Sequence, residues 1–273
     1  MSDTPIKTAT LRGVATIEIA RPEKKNALTA AMYQAMADAL RAANGDASVR
    51  AVLITGQPGI FTSGNDLEDF LQRPPAGADS PVFQFMQALM GCDKPVIAAV
   101  TGAAIGIGTT MLLHCDFVYV SDEARLAMPF VALGLVPEFG SSVLVAERIG
   151  HARAAEKLLL GDPFTGAEAA ECGIANAVLP ASEVLNHARR VAERFNALAP
   201  AAVRESKRLM RARDRARLPE VIETEGALFR DRLRSEEARE AMQAFFEKRL
   251  PDFSRFGRSA RPVFCAMPLP PIP

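Results

Sequence analysis

The chain has 273 residues, 49% of them hydrophobic, with 32 basic and 32 acidic side chains that cancel. That length supports one sizeable core, and the neutral balance gives no general attraction for nucleic acid or an anionic membrane. No apolar stretch reaches about 18 residues without a charge or a helix breaker, so no membrane span is expected, and the polar Met1–Lys7 carries no signal-peptide pattern.

In chain order, Thr8–Leu11 and Val14–Ile19 flank Arg12-Gly13 and read as a short β-hairpin. Arg21–Asn26 reads as a loop. Thr29 is placed to cap a helix running to about Ala43, with Met32, Met36, Ala39 and Leu40 on one face. Val49–Thr55 is a continuous apolar strand suited to a sheet covered on both faces, and Gln72–Pro81 a surface loop. A helix at Val82–Met90, a strand at Val96–Val100, a helix near Ile107–Leu113 and a strand at Phe117–Ser121 follow. Alternation of strand and helix to about residue 180 predicts an α/β core with parallel pairings. Beyond Pro180 only helices are predicted: Ser182–Leu198, Ala201–Arg211, Leu218–Asp231 and Ser235–Lys248. The tail Pro251–Pro273, with six prolines, reads as irregular. The organisation is therefore a core over 1–195, a helical module over 196–250 and a tail over 251–273.

Cys92, Cys115, Cys172 and Cys265 form no CxxC pair and have no nearby histidine at ligand spacing. Reduced thiols in a cytoplasmic protein are expected rather than a metal site. His114, His151 and His187 have no nucleophile or carboxylate at a telling distance and read as surface or helix residues. Ser141 and Ser142 lie outside any GxSxG elbow, which argues against a serine hydrolase. The basic run Arg204–Arg217 lacks interleaved aromatics and is punctuated by Glu205 and Asp214, so a solvated helix face or a subunit contact is expected there, not nucleic-acid binding.

Two glycine-bearing segments stand out, Phe61-Thr62-Ser63-Gly64-Asn65-Asp66-Leu67 and Gly102-Ala103-Ala104-Ile105-Gly106-Ile107-Gly108. Each follows an apolar strand and leads toward a helix, so its small residues let backbone N–H groups face a cavity. Two such junctions are able to hold one oxygen between two N–H groups, an oxyanion hole; structural strand-to-helix turns would read the same. Asn65 and Asp66 are candidates for lining that pocket or for a local Asx turn. Glu138, in Val136-Pro137-Glu138-Phe139-Gly140-Ser141-Ser142, has apolar neighbours that suit a poorly solvated carboxyl of raised pKa. A solvated acid at a helix N-terminus fits the same pattern.

FTSGNDL, KPVIAAVTGAAIGIGTTMLLHCD, LAMPFVALGLVPEFGSS and GDPFTGAEAAECGIANAV, in register over roughly residues 6–250, resemble the crotonase (enoyl-CoA hydratase/isomerase) superfamily. The resemblance implies a spiral of ββα units with a C-terminal helical trimerisation module, assembled as a homotrimer or a dimer of trimers. It implies an acyl-CoA thioester substrate, with coenzyme A as part of that substrate and no separate cofactor. By position it assigns the oxyanion donors to the Ser63 and Ile107 N–H groups, Ile107 replacing the usual glycine.

The two glutamates that hold water in hydratases of this family fall on Thr110 and Phe130. A hydroxyl is no base at neutral pH and a phenyl ring moves no proton. PEFGSS with SGNDL is instead similar to the peroxisomal type of Δ3,Δ2-enoyl-CoA isomerase, in which this loop glutamate is the single base. The resemblance thus makes Glu138 the base that moves a 3-enoyl-CoA double bond to C2–C3 in fatty-acid β-oxidation. A hydratase-like lyase and a non-catalytic acyl-CoA binder are the alternatives. By the same resemblance the Arg21–Asn26 loop lies beside the adenine and its phosphate, where Lys24 and Lys25 either contact phosphate or are merely solvated. Ala27 falls near the pantetheine, and Phe245 and Lys248 are possible late-helix contacts. Phe83, Phe85, Met86, Met90 and Met128 serve either as acyl-pocket walls or as core.

Overall fold

The computed structural model describes residues 5–256. Strands β1 (Ile6–Leu11) and β2 (Val14–Ile19) form the expected hairpin, paired from Ile6↔Ile19 to Leu11↔Val14. Helix α1 (Ala30–Gly45) starts where Thr29 accepts a hydrogen bond from the Met32 N–H, and it buries Met32, Tyr33, Met36 and Leu40.

From here the chain repeats one manoeuvre. Strand β3 (Ala51–Thr55) joins β2 in a first sheet, the chain turns, and β4 (Ile60–Thr62) starts a second sheet before α2 (Leu67–Gln72) and α3 (Pro81–Gly91). Strands β5 (Val96–Val100) and β6 (Ala103–Ile105) split between the two sheets in the same way, followed by the single turn α4 (Ile107–Thr110). Strands β7 (Phe117–Ser121) and β8 (Arg125–Ala127) repeat the split ahead of α5 (Ser141–Ile149) and α6 (His151–Ala155). Strand β9 (Phe164–Thr165) closes the second sheet, α7 (Gly166–Glu171) follows, and β10 (Ala177–Leu179) closes the first.

The first sheet runs β1-β2-β3-β5-β7-β10, all parallel after the hairpin; the second runs β4-β6-β8-β9, with only β9 antiparallel. Successive ββα turns stacked this way are a spiral. The turn between β5 and β6 demands glycine. Gly102 sits at φ +77°, and a Cβ there would lie 1.8 Å from the Gly59 carbonyl oxygen of the preceding turn.

Strand β3 is buried throughout, and its side chains alternate between two apolar clusters. Val52 and Ile54 face the main core with α1, whereas Ala51 and Leu53 face Val184, Ala188 and Val191 of α8 (Ala181–Arg194). A sheet clothed on both faces explains its uninterrupted apolar sequence.

Two expected helices over Ala201–Arg211 and Leu218–Asp231 are one helix, α9 (Pro200–Leu233), with Pro219 inside it. The backbone hydrogen bond that proline removes is outweighed by anchors on both sides. Lys207 Nζ pairs with Asp116 at 2.6 Å, while Leu218, Ile222 and Phe229 join the main core. One face of the Arg204–Arg217 run docks α9 onto the core, while Glu205, Leu209, Met210 and Arg213 on the other face are exposed, in line with the expected solvated face. Arg208 and Arg215 grip Asp93 at 2.6 and 2.7 Å, and Arg217 pairs with Glu147. Helix α10 (Glu236–Glu247), capped by Ser235, ends the fold.

His114 ends a short 3-10 helix, one of its two expected settings, but is buried and not at the surface, and it stacks on Phe139 with ring centroids 3.9 Å apart. Cys92 and Cys115 are buried free thiols and Cys172 is a partly buried one. Among the described residues no helix is long and apolar enough to cross a membrane. Cys265 and all but the first six residues of the expected tail lie outside the described residues.

Candidate active site

The first glycine-bearing segment links β4 to α2, and nearly every backbone group in it is occupied. The Gly64 N–H donates to the Thr62 hydroxyl, the Gly64 carbonyl accepts from the Leu28 N–H, and the Asp66 N–H donates to the Leu28 carbonyl. The Ser63 N–H donates to the Lys25 carbonyl at 3.1 Å. Ser63 therefore has no N–H to offer a ligand, which corrects its assignment as an oxyanion donor. No described residue accepts from the Asn65 N–H, so the available donor is two positions later. Asn65 is held from its far end, where its Oδ1 accepts from the Tyr33 hydroxyl at 2.5 Å.

Asp66 is structural. Its carboxylate caps α2 by accepting from the Glu68 and Asp69 N–H groups, and Arg21 pairs with it at 2.6 Å. Burial raises its pKa, but Arg21 and the backbone N–H groups outweigh that and hold it below the usual range. Asn26, buried at φ +55°, accepts from the Arg21 N–H and donates to the Phe61 carbonyl, clamping the Arg21–Asn26 loop against β4.

The second segment leaves β6, turns at Gly106 (φ +58°, ψ −120°) and enters α4 at Ile107. The first N–H of a helix has no intrahelical acceptor, so the Ile107 N–H is open. The Ile107 side chain is 1% exposed and packs in the main core, so it does not obstruct that N–H. The two segments touch: a Cβ on Gly64 would lie 2.8 Å from the Ile105 carbonyl oxygen. Asn65 and Ile107 both line one cleft of about 740 Å³.

Lys24, Lys25 and Ala27 line one part of that cleft, and Phe130, Leu133, Phe229 and Phe245 other parts. Lys24 lies 3.8 Å from Glu68, with both side chains largely exposed. Lys248 does not line the cleft; it ends α10 in a left-handed conformation.

Glu138 lies in a smaller cavity of about 30 Å³ that shares Asn65, Phe70 and Phe229 with the cleft. Its side chain is buried, so the solvated-acid alternative does not hold. Burial pushes its pKa up to about 8; the Thr110 hydroxyl, which donates to Oε1 at 2.5 Å, opposes that rise, and the negative charge of Glu225 adds to it. Phe83 and Met86 line this cavity, Met90 lies by another hollow, and Phe85 and Met128 are core.

The loop carrying Glu138 is fixed by three devices that sequence reading missed. Phe139 adopts φ +59° and Gly140 +74°, a sharp left-handed turn that strains a phenylalanine. His114 supports it. Burial pushes its pKa down to about 3, so the ring is neutral, and its Nε2–H donates to the Phe139 carbonyl at 2.7 Å. From α9, the buried Glu225 carboxylate accepts from the Gly140 N–H at 2.6 Å, the Ser142 N–H at 3.0 Å and the Ser142 hydroxyl at 2.5 Å. No local pattern marks Glu225, because its partners lie more than 80 positions away.

The site therefore offers two unoccupied N–H groups in a cleft and one buried carboxyl in an adjoining cavity. The enoyl-CoA hydratase/isomerase family model matches residues 9–256. A solved Pseudomonas aeruginosa protein, OdaA, is 56% identical with a TM-score of 0.87, covering 89% of this chain and 99% of that one. Human "enoyl-CoA delta isomerase 2" is 35% identical over 87% of this chain, which spans 62% of the human protein's length. The Escherichia coli K12 "2,3-dehydroadipyl-CoA hydratase" is 30% identical over 85% of this chain and 92% of that protein. With the fold, the cleft and these relatives in agreement, the chain belongs to the enoyl-CoA hydratase/isomerase family.

Proposed function

We propose that the protein shifts the double bond of a 3-enoyl-CoA thioester to give the trans-2-enoyl-CoA, with Glu138 as the single base. The observation that carries this reading is a buried carboxyl, hydrogen-bonded by Thr110, at the only one of three positions where a carboxylate remains. The two positions where hydratases of this family hold water with glutamates are Thr110 and Phe130.

With the thioester oxygen between the Asn65 and Ile107 N–H groups, Glu138 takes the proton from C2. The electron pair of that C–H bond moves toward the thioester oxygen, giving a dienolate across C1 to C4. Each donor aimed at such an oxyanion is worth about 3–4 kcal/mol of barrier. Collapse re-forms the C1 carbonyl, places the double bond between C2 and C3, and returns the proton from Glu138 to C4. Thr110 steadies the carboxylate form, and the apolar walls keep water from competing for the proton. In this reading Lys24, Lys25, Ala27 and Phe245, which line the cleft, meet the CoA portion of the substrate.

The test is turnover of 3-hexenoyl-CoA by wild type and Glu138→Gln, which keeps the shape and removes the base. A loss of at least about a hundredfold is expected, with CoA-ester binding kept. Relatives named as hydratases favour a second reading, water addition. Robust hydration of crotonyl-CoA that persists in Glu138→Gln would establish it instead.

A further inference from the structure

A second charged group reaches the cavity that holds Glu138. Arg230, on α9, is the only basic residue among its walls within the described residues. Its Nη2 lies 3.3 Å from the exposed carboxylate of Glu223. Its Nη1 is sealed from solvent and has no hydrogen-bond partner. That nitrogen is on the cavity side. A Cβ built on Gly226 would come within 3.3 Å of it and 2.6 Å of Phe83 Cζ, and Gly226 and Phe83 are both cavity walls. The missing side chain at 226 therefore lets the Phe83 ring and the Arg230 guanidinium pack against α9 at the cavity wall.

A sealed cationic N–H without an acceptor is costly unless something supplies one. Glu138 does not supply it: among the described residues its only side-chain partner is Thr110, and burial, not a neighbouring cation, sets its pKa. The Phe83 ring, 5.8 Å from the guanidinium, offers a face but no lone pair.

We infer that Arg230 is the specificity-determining residue of the acyl pocket, selecting a short 3-enoyl-CoA whose far end carries a carboxylate. The inference rests on the isomerase reading, because Glu138 fixes where C2 and C4 must lie and the rest of the chain continues into the same cavity. That cavity of about 30 Å³ has room for few further atoms. Its other walls are mostly apolar, so a carboxylate entering it meets one cationic partner, and a charge-assisted bond from a sealed donor is strong and directional. A site built to bond a polar group also rejects the analogue lacking it, because the buried donor is then left unpaired.

The test compares kcat/KM for 3-hexenoyl-CoA and for the mono-CoA thioester of 3-hexenedioic acid, which differ only in a terminal methyl or carboxylate. Wild type should favour the carboxylated thioester by about tenfold or more, and that ratio should fall about tenfold in Arg230→Met. Arg230→Lys, which keeps the charge, should restore part of it. A wild-type ratio at or below one, or equal losses on both substrates in Arg230→Met, overturns the inference. If neither thioester is isomerised, the isomerase reading fails separately, and calorimetry on the two saturated thioesters decides the matter. Tighter binding of the carboxylated one, lost in Arg230→Met, sustains the role of Arg230; equal affinities refute it.

Discussion

Replacing Thr110 by valine removes the one side-chain hydroxyl that donates to Glu138 and leaves the buried shape nearly intact. In wild type the carboxyl, raised by burial to about 8, is ionised in only about one tenth of molecules at pH 7. A hydrogen bond to a charged group is worth about 1.5–3 kcal/mol, so its loss raises the pKa by a further one to two units, roughly. The ionised fraction at neutral pH then falls about ten- to a hundredfold. Because kcat/KM reports the free enzyme, 3-hexenoyl-CoA turnover should rise about fiftyfold in wild type between about pH 6 and 8 and level off near pH 9. In Thr110→Val the rising limb should move to higher pH, so that the deficit is large at pH 7 and shrinks at the alkaline end. Parallel profiles, or a wild-type limb near the ordinary glutamate value, would refute the view that a desolvated Glu138 is the base.

The same shift acts on stability. Folded Glu138 keeps its proton to about pH 8, whereas an unfolded glutamate loses it near 4.5. The stabilisation this gives is fully present below the unfolded value and is lost as pH rises through the folded one. Glu138→Gln stays neutral throughout, so its melting temperature should gain on wild type from about pH 5 to about pH 9; a constant offset would contradict the burial argument. Glu225→Gln turns one of the two oxygens that accept from Gly140 and Ser142 into an NH2 donor and removes a negative charge near Glu138. It should cost about 1–3 kcal/mol in denaturant titration and shift the activity limb to lower pH. Gly102→Ala places a Cβ 1.8 Å from the Gly59 oxygen at φ +77° and should cost about 3 kcal/mol or more, measurable as a loss of soluble, folded protein.

The long elements were legible because each carries its own period or cap. Strands β2, β5 and β7 have the expected bounds, and Thr29 and Ser235 cap α1 and α10 through their own hydroxyls. The second sheet was not, since its strands of two or three residues are too short to show a period. They exist because each follows a strand of the first sheet and finds its partner one turn of the spiral away.

At the candidate site, residue types and order drew attention to Glu138 and the two glycine-bearing segments, while the family resemblance pointed to Ile107 and the Ser63–Asp66 segment for the N–H donors and put Thr110 and Phe130 at the hydratase glutamate positions. Which backbone N–H in that segment is free depended on Lys25 and Leu28 arriving beside it to occupy the Ser63 N–H and the Gly64 and Asp66 groups. The state of Glu138 likewise depended on burial by distant elements, with Thr110, His114 and Glu225 converging on one loop from 24 to 87 positions away. Chemistry that resides in a side chain is written in the chain itself. Hydrogen bonds and desolvation come from neighbours, and only folding chooses the neighbours.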